Sequence, residues 1–259
     1  MKALIDGDIL RFEAGFAAET AWRAKTETDT LPPWDFVSDM LHGRIEYIVA
    51  QAEATEYEVY LTEGRTFRYD IAVTKPYKGT RVENRPWHFK NLTAYFQAQP
   101  WVRTVTHIEA DDAMAIEHSK DPNNTIICSR DKDLRQVPGW FYSWELANQP
   151  SFGPVFITNP GTLEYNPEKK KLTGTGLAFF YVQVLMGDTV DNIPGLDKCG
   201  PVKAYNILKD LETPEEMLEA VREAYADDDK LLEQGQLCWI VRELDQENSP
   251  VVWEIGKTE

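Results

Sequence analysis

Cysteine is scarce in this 259-residue chain, which has only Cys128, Cys199 and Cys238. An odd, scattered set makes neither a disulfide framework nor a thiolate metal site, so the three read as buried thiols. The four histidines show no ligand spacing either. No run approaches the roughly 18 consecutive apolar residues of a membrane span. The first strand-like run begins almost at Met1, which leaves no room for a secretory leader, and a cytosolic protein is the expectation. Basic residues are also in deficit: 27 Lys and Arg stand against 43 Asp and Glu, a formal charge of −16. That is the reverse of the usual nucleic-acid footprint and argues against a non-specific DNA coat protein. It weighs less against an enzyme that gathers acids around divalent metals and holds its substrate through local basic patches.

Apolar residues make up 42% of the chain and include eight Trp, enough for one large domain or a domain with an appendage. The acids are not evenly spread. Glu109-Ala110-Asp111-Asp112 and Asp131-Lys132-Asp133 flank a single strand-like run, 124–129. The run 105–108 reads as a strand that delivers Glu109 at its carboxyl end, with Asp111 and Asp112 opening a helix where the dipole favours acids. In an open parallel sheet ligands bind beyond the carboxyl ends of strands, so both clusters face one crevice. A helix cap and a solvated turn would explain either cluster alone; together they call for a bound cation.

Along the chain, Lys2 to Ile5 is a strand ending in Asp6-Gly7-Asp8, followed by helical spacing at Ile9, Leu10, Phe12 and Phe16. Residues 19–35 are polar and broken by Pro32-Pro33, which predicts a surface loop. A helix is expected from about Asp35 to Ala54, and the strand 56–62 then delivers Glu63. Between Gly64 and Pro100 positive charge interleaves with aromatics, including Arg65, Arg68, Lys75, Tyr77, Lys78, Arg81 and Trp87. That pattern suits phosphates and stacked bases, although a solvated excursion with its aromatics tucked onto the sheet would read the same. Residues 140–158 suggest further strands, and Glu168 to Lys171 a hairpin tip.

A second constellation follows the apolar helix 177–186: Gly187-Asp188-Thr189-Val190-Asp191-Asn192-Ile193-Pro194-Gly195, then Gly200-Pro201-Val202-Lys203 and a helix to Leu208. Gly200 is expected to allow a tight turn. Backbone amides around Gly195, Lys198, Gly200 and Lys203 suit phosphate binding at a helix N-terminus. Thr213-Pro214-Glu215-Glu216 has capping-box spacing, and a last helix is expected over roughly Lys230 to Glu243.

Asp6-Gly7-Asp8, Tyr77-Lys78-Gly79-Thr80-Arg81, Glu109-Ala110-Asp111-Asp112, Asp131-Lys132-Asp133-Leu134 and the 187–195 motif, in this order, resemble the 5′-nuclease superfamily. The resemblance is to its bacteriophage and bacterial 5′→3′ exonuclease and flap endonuclease group. It implies an α/β fold: a parallel-sheet PIN-like nuclease core over 1–173, with an arch at about 64–100. A helical part over 174–259 would carry a helix-hairpin-helix-like (H3TH) duplex anchor. It further implies that Asp6, Glu63, Glu109 and Asp111 surround a first metal, while Asp112, Asp131, Asp133, Asp188 and Asp191 complete the cluster and a second site. Lys78 and Arg81 would contact the scissile phosphate, Tyr77 would stack on the terminal base, and Lys75 would add substrate contact. The chain departs from the family pattern at Glu63, where Asp is usual, and at Lys198, where Gly is frequent; its arch is short.

All-oxygen ligands select Mg²⁺, with Mn²⁺ as a substitute. Two such ions about 4 Å apart suffice for phosphodiester hydrolysis without a nucleophilic side chain. The expected partner is double-stranded or junction DNA with a 5′ end, with an RNA·DNA hybrid also open. An RNase H-type or PIN-like ribonuclease would use a similar acid cluster. A non-catalytic DNA-binding relative should have lost several acids, and this chain keeps them.

Overall fold

The computed structural model of the protein describes residues 1–80 and 84–256. Six strands, β1 (Lys2–Asp6), β2 (Glu56–Thr66), β3 (Val102–His107), β4 (Thr125–Cys128), β5 (Gly139–Ser143) and β6 (Phe152–Ile157), form one sheet in the order β3-β2-β1-β4-β5-β6. Every pairing is parallel except the antiparallel edge between β5 and β6. Parallel strands covered on both faces read as unbroken apolar runs, and Ala3, Leu4 and Ile5 of β1 are all fully buried. Their alternation assigns the two faces. Ala3 and Ile5 pack with α1 (Gly7–Thr26) and α2 (Trp34–Gln51), and, beyond the short α3 (Arg68–Ile71), with α4 (Phe89–Gln97). Leu4 packs on the other side with α5 (Ala110–Lys120).

From β1 the chain steps outward to β2 and β3, then crosses back to the other flank of β1 at β4. The carboxyl ends of β1 and β4 therefore lie at a topological switch point, where connections diverge and a crevice opens. After the hairpin β7 (Thr162–Asn166) and β8 (Lys171–Thr175), which turns over 167–170, four helices follow as far as Cys238. α6 (Gly176–Met186), α7 (Pro201–Leu208), α8 (Pro214–Tyr225) and α9 (Asp228–Cys238) share a core around Phe179, Phe180 and Tyr181. The capping box forms at α8: Thr213 accepts from the Glu216 amide at 3.2 Å, and Glu216 accepts from the Thr213 amide at 3.1 Å. All three cysteines are buried and unpaired. No helix among the described residues is long and apolar enough to cross a membrane.

Several expectations need correction. The segment 19–35 is not a loop throughout, because α1 continues to Thr26. The Thr20 and Thr26 hydroxyls bond back to the Phe16 and Trp22 carbonyls, and the Trp22 ring meets Phe36 edge-on, so the polar residues stay helical. β2 runs on to Thr66, which places Glu63 inside the strand rather than beyond its end. Within the stretch 64–100, Phe89, Leu92 and Phe96 of α4 are buried, and Arg68 is 2% exposed.

The last helix stops at Cys238 rather than near Glu243. Its continuation is claimed by a buried ion pair: Arg68 donates to both Asp112 oxygens, at 2.6 and 2.7 Å, and to the Trp239 carbonyl at 2.6 Å. The Val241 amide donates to Asp112 at 3.0 Å. The extended backbone after α9 thus supplies the hydrogen bonds that a helix would have kept for itself.

Candidate active site

Asp6 closes β1 and caps α1, accepting from the Ile9 amide at 3.0 Å and from Ser129 Oγ at 2.7 Å. Ser129, just past β4, also accepts from the Asp131 amide at 2.9 Å, and Asp131 accepts from the Asp133 amide at 2.8 Å. One hydroxyl therefore ties the end of β1 to the acidic turn after β4. Asp8 accepts from Arg11 at 2.8 Å and from the Thr62 amide at 3.2 Å. These groups open onto a cleft of about 1380 Å³ that is also lined by Glu63, Glu109, Asp111, Asp188, Asp191 and Lys78. Asp188 and Asp191 come from the loop after α6, closed by paired backbone bonds between Asp188 and Ile193 at 2.9 and 2.7 Å. Gly187 and Gly195 make this closure possible: both have positive φ, and a Cβ on Gly187 would lie 2.2 Å from the Ile193 oxygen.

The electrostatics divide the cleft. Burial, then the neighbouring Asp8, push the Asp6 carboxyl up to about 7. Burial, then Asp6, Asp131 and Glu109, raise Asp111 well above the carboxylate range, against a smaller pull from Lys78. Burial and Asp131 likewise push Asp133 up to about 7. Glu109 behaves oppositely. Burial pushes it up, but Arg68 and Lys78 outweigh that and hold it low; Lys78 Nζ lies 2.7 Å from its Oε1. Lys132 plays a similar part on the other side, with its ammonium 2.9 Å from Asp133 and 2.8 Å from Asp188.

Of the residues singled out from the sequence, Asp6, Glu63, Glu109, Asp111, Asp131, Asp133, Asp188, Asp191, Tyr77 and Lys78 all line this cleft. Glu63 is exposed at its edge. Asp112 does not join them. It is fully buried, turned away into its pair with Arg68, and its second role is to cap α5 from inside by accepting from the Glu109 amide at 3.0 Å. Tyr77 is 4% exposed; its hydroxyl donates to Asp191 at 3.0 Å and Glu109 at 3.2 Å, and its ring packs edge-on against Tyr69. That placement leaves no face for stacking on a terminal base. The Gly195 amide is taken by Gln234 at 3.0 Å. Gly200 has φ −94° and so makes no left-handed turn; that conformation falls instead on Lys198, at φ 55°. Lys75 is exposed outside the cleft. Gly200 and Lys203 border a separate shallow depression of about 510 Å³ at the start of α7. Arg81 lies outside the described residues. Asp8, Arg68, Ser129 and Lys132 were not anticipated as site residues. Asp8 carried a signal as the second acid of Asp6-Gly7-Asp8, Lys132 as the middle of Asp131-Lys132-Asp133 and Arg68 as part of the basic stretch, whereas Ser129 carried none.

The donor set is entirely oxygen, the chemistry of hard divalent cations. Among the described residues no three His, Cys, Asp or Glu side chains converge closely enough to hold an ion as they stand. Hard divalent cations of the Mg²⁺ kind retain several waters, through which carboxylates not in direct contact with the ion can still bind it.

No family model matches the chain. It is 29% identical over 232 residues to DNA polymerase I of Chloroflexus aurantiacus, covering 85% of this chain and 23% of the relative. It is 28% identical over 235 residues to DNA polymerase I of Bacillus subtilis, covering 85% of this chain and 24% of the relative. The chain thus spans about a quarter of the length of the curated relatives it matches. Among solved structures, it shares its fold with bacteriophage T5 flap endonuclease in a pseudo-enzyme-product complex with DNA and metal ions. That match has TM-score 0.57 at 15% identity, covering 92% of this chain and 88% of the other. Zinc-bound T5 5′-exonuclease matches with TM-score 0.56 at 15% identity, covering 92% and 89%. In sequence and in fold the chain resembles the 5′-nuclease superfamily, as its motifs imply.

Proposed function

We propose that this chain is a divalent-metal-dependent 5′ nuclease that hydrolyses DNA phosphodiesters from 5′ ends, as a 5′→3′ exonuclease or flap endonuclease. The observation that carries the reading is the gathering of Asp6, Glu109, Asp111 and Asp131 around one cleft at the sheet's switch point, where burial and mutual repulsion keep Asp6 and Asp111 from ionising freely. Asp6, Glu63, Glu109 and Asp111 would hold one Mg²⁺, and Asp131, Asp133, Asp188 and Asp191 a second, with Mn²⁺ substituting. Such ions, when bound, supply an ionised water and charge stabilisation for the leaving oxygen of an in-line displacement.

The remaining work falls to the chain itself. Lys78 exchanges Glu109 for the scissile phosphate, so that its charge is spent where negative charge builds in the transition state. Arg81 assists at the same phosphate. The loop 195–200 and the start of α7, with Lys198 and Lys203, act as the H3TH-like grip on duplex phosphates, at a distance from the acids. Support for DNA as substrate comes from the T5 flap endonuclease, which was captured with DNA and metal ions.

The direct test incubates 5′- and 3′-labelled duplex, 5′-flap and RNA·DNA hybrid substrates with the chain and Mg²⁺, and reads product lengths on a gel. Short 5′-derived products from DNA, abolished by chelation, are expected; cleavage of the hybrid alone would favour a ribonuclease. In single-turnover assays Lys78→Ala should slow hydrolysis by about 10²–10³ with duplex affinity nearly intact.

A further inference from the structure

The strap 72–79, between α3 and the undescribed residues, contains neither helix nor strand, and Val73 is 85% exposed. Yet it carries Lys78 in the left-handed conformation, φ 54°, which a lysine adopts when its surroundings impose it. Lys78 itself meets the 187–195 loop and Glu109, and neighbouring residues of α9 hold both the start of the strap and that loop. Glu233 Oε1 accepts from the Val73 amide at 2.7 Å and the Thr74 amide at 2.6 Å, and the Thr74 hydroxyl donates to its Oε2. Gln234, next in the chain, accepts from the Gly195 amide and so holds the 187–195 loop. That loop returns to the strap, where Asn192 Nδ2 donates to the Pro76 carbonyl at 2.9 Å and the Lys78 amide donates to the Asp191 carbonyl at 2.9 Å. One turn of α9 thus sets both the strap and the loop against which the strap rests.

We propose that Glu233 is a positioning residue: by fastening the strap to α9 it sets the place of Lys78 over the cleft, so that the helical C-terminal part aims the phosphate-contacting lysine. The proposal rests on reading the chain as a nuclease. Three donors converge on this side chain, and an ionised carboxylate, acceptor at both oxygens, satisfies all of them. Glutamine keeps one oxygen for the two amides but turns a donor toward the Thr74 hydroxyl, which can answer as an acceptor. Alanine keeps nothing. Loss of the fastening lets the strap sample other conformations, and misplacement of a catalytic group by about 1 Å is enough to slow a reaction strongly.

The test compares wild type, Glu233→Gln and Glu233→Ala as full chains. Hydrogen exchange is read over 72–79 and, as a control, over the buried strand β4. Single-turnover hydrolysis is measured at saturating 5′-flap DNA in Mg²⁺, and duplex affinity in Ca²⁺. In Glu233→Ala, exchange in the strap should quicken by about tenfold or more while β4 is unchanged, and the rate should fall by about tenfold at constant affinity. Glu233→Gln should recover most of both. Unchanged strap exchange in Glu233→Ala, faster exchange with an unchanged rate, or a rate loss explained wholly by weaker binding would each overturn the proposal. A wild-type chain that hydrolyses nothing would refute the nuclease reading itself, and the exchange comparison alone would then decide whether Glu233 holds the strap.

Discussion

Asp111 and Asp112 are adjacent in the first turn of α5, and their surroundings could hardly differ more. Asp112 points into the interior, where Arg68 matches both its oxygens and two backbone amides complete its hydrogen bonding. Asp111 points into the cleft, where most of the groups acting on it are other carboxylates and Lys78 offsets them only in part. One acid is spent on holding the helical part to the sheet. The other is held in a field that Lys78 relieves only in part, the arrangement that the proposed metal site calls for. The interior solves its charges by pairing or by neutrality; in the cleft Lys78 and Lys132 pair Glu109 and Asp188, while Asp6 and Asp111 are left facing other carboxylates.

The sharpest way to break this contrast is to remove Asp112. Asp112→Ala leaves a buried guanidinium without its partner and should destabilise the protein by about 3–5 kcal/mol, read from urea unfolding. A loss below about 1 kcal/mol, the size of a surface pair, would mean that the clasp is ornamental. Asp111→Asn should show the reverse profile, with hydrolysis in Mg²⁺ lowered by about 10²–10³ and metal-free stability not reduced, since a disfavoured charge is gone. A destabilised Asp111→Asn with normal activity would exchange the two roles.

His118 tests the interior's other solution. It is fully buried, its Nδ1 lies 2.7 Å from Thr125 Oγ1, and burial pushes it down to about 4. The unfolded chain takes up a proton near the ordinary histidine value that the folded chain refuses until about pH 4. Stability from this group is therefore complete above about pH 6.5 and is lost as pH falls toward 4, by up to about 3 kcal/mol. The difference in unfolding free energy between wild type and His118→Gln, followed from pH 7.5 to 4.5, should shrink along that slope; a constant difference would show that His118 takes up its proton at the same pH in the folded and unfolded chain. The smallest effect is expected outside the acid-lined cleft, at the separate depression that Lys203 borders. Lys203→Ala should weaken duplex binding and flatten the slope of log K against log salt by about one unit. Cleavage at saturating substrate should stay close to normal. An unchanged slope in Ca²⁺ would place the duplex grip elsewhere, with Lys169 to Lys171 next in line.

Much of this was legible in the order of residues. Unbroken apolar runs at 3–5 and 126–128 announce buried parallel strands, and acids placed just after β1, β3 and β4 follow from the rule that such sheets present their carboxyl ends to ligands. The capping box at Thr213 and the glycine-closed loop of 187–195 carry their own local chemistry, so they too could be read in isolation. The register of charge with burial could not. Nothing in Glu109-Ala110-Asp111-Asp112 says which of two consecutive acids meets Arg68, because that guanidinium comes from α3, and the two carbonyls that complete it come from the last turn of α9, at Leu237, and from just past it, at Trp239.

The same limit governs Tyr77, whose aromatic ring and basic neighbours suit base stacking until tertiary packing commits its hydroxyl to Glu109 and Asp191. It governs Ser129 as well, a lone hydroxyl that becomes the tie between β1 and the acidic turn only when β4 lies beside β1. Local pattern determined the strands β1 and β4, the capping box at Thr213 and the gathering of acids at strand ends, since these depend on hydrophobic period and backbone propensity within a few residues. Which acids are neutralised and which stay exposed to one another was decided by the tertiary structure alone. Electrostatic energy depends on distances through space and on the water excluded between charges, and both exist only once distant segments have packed together.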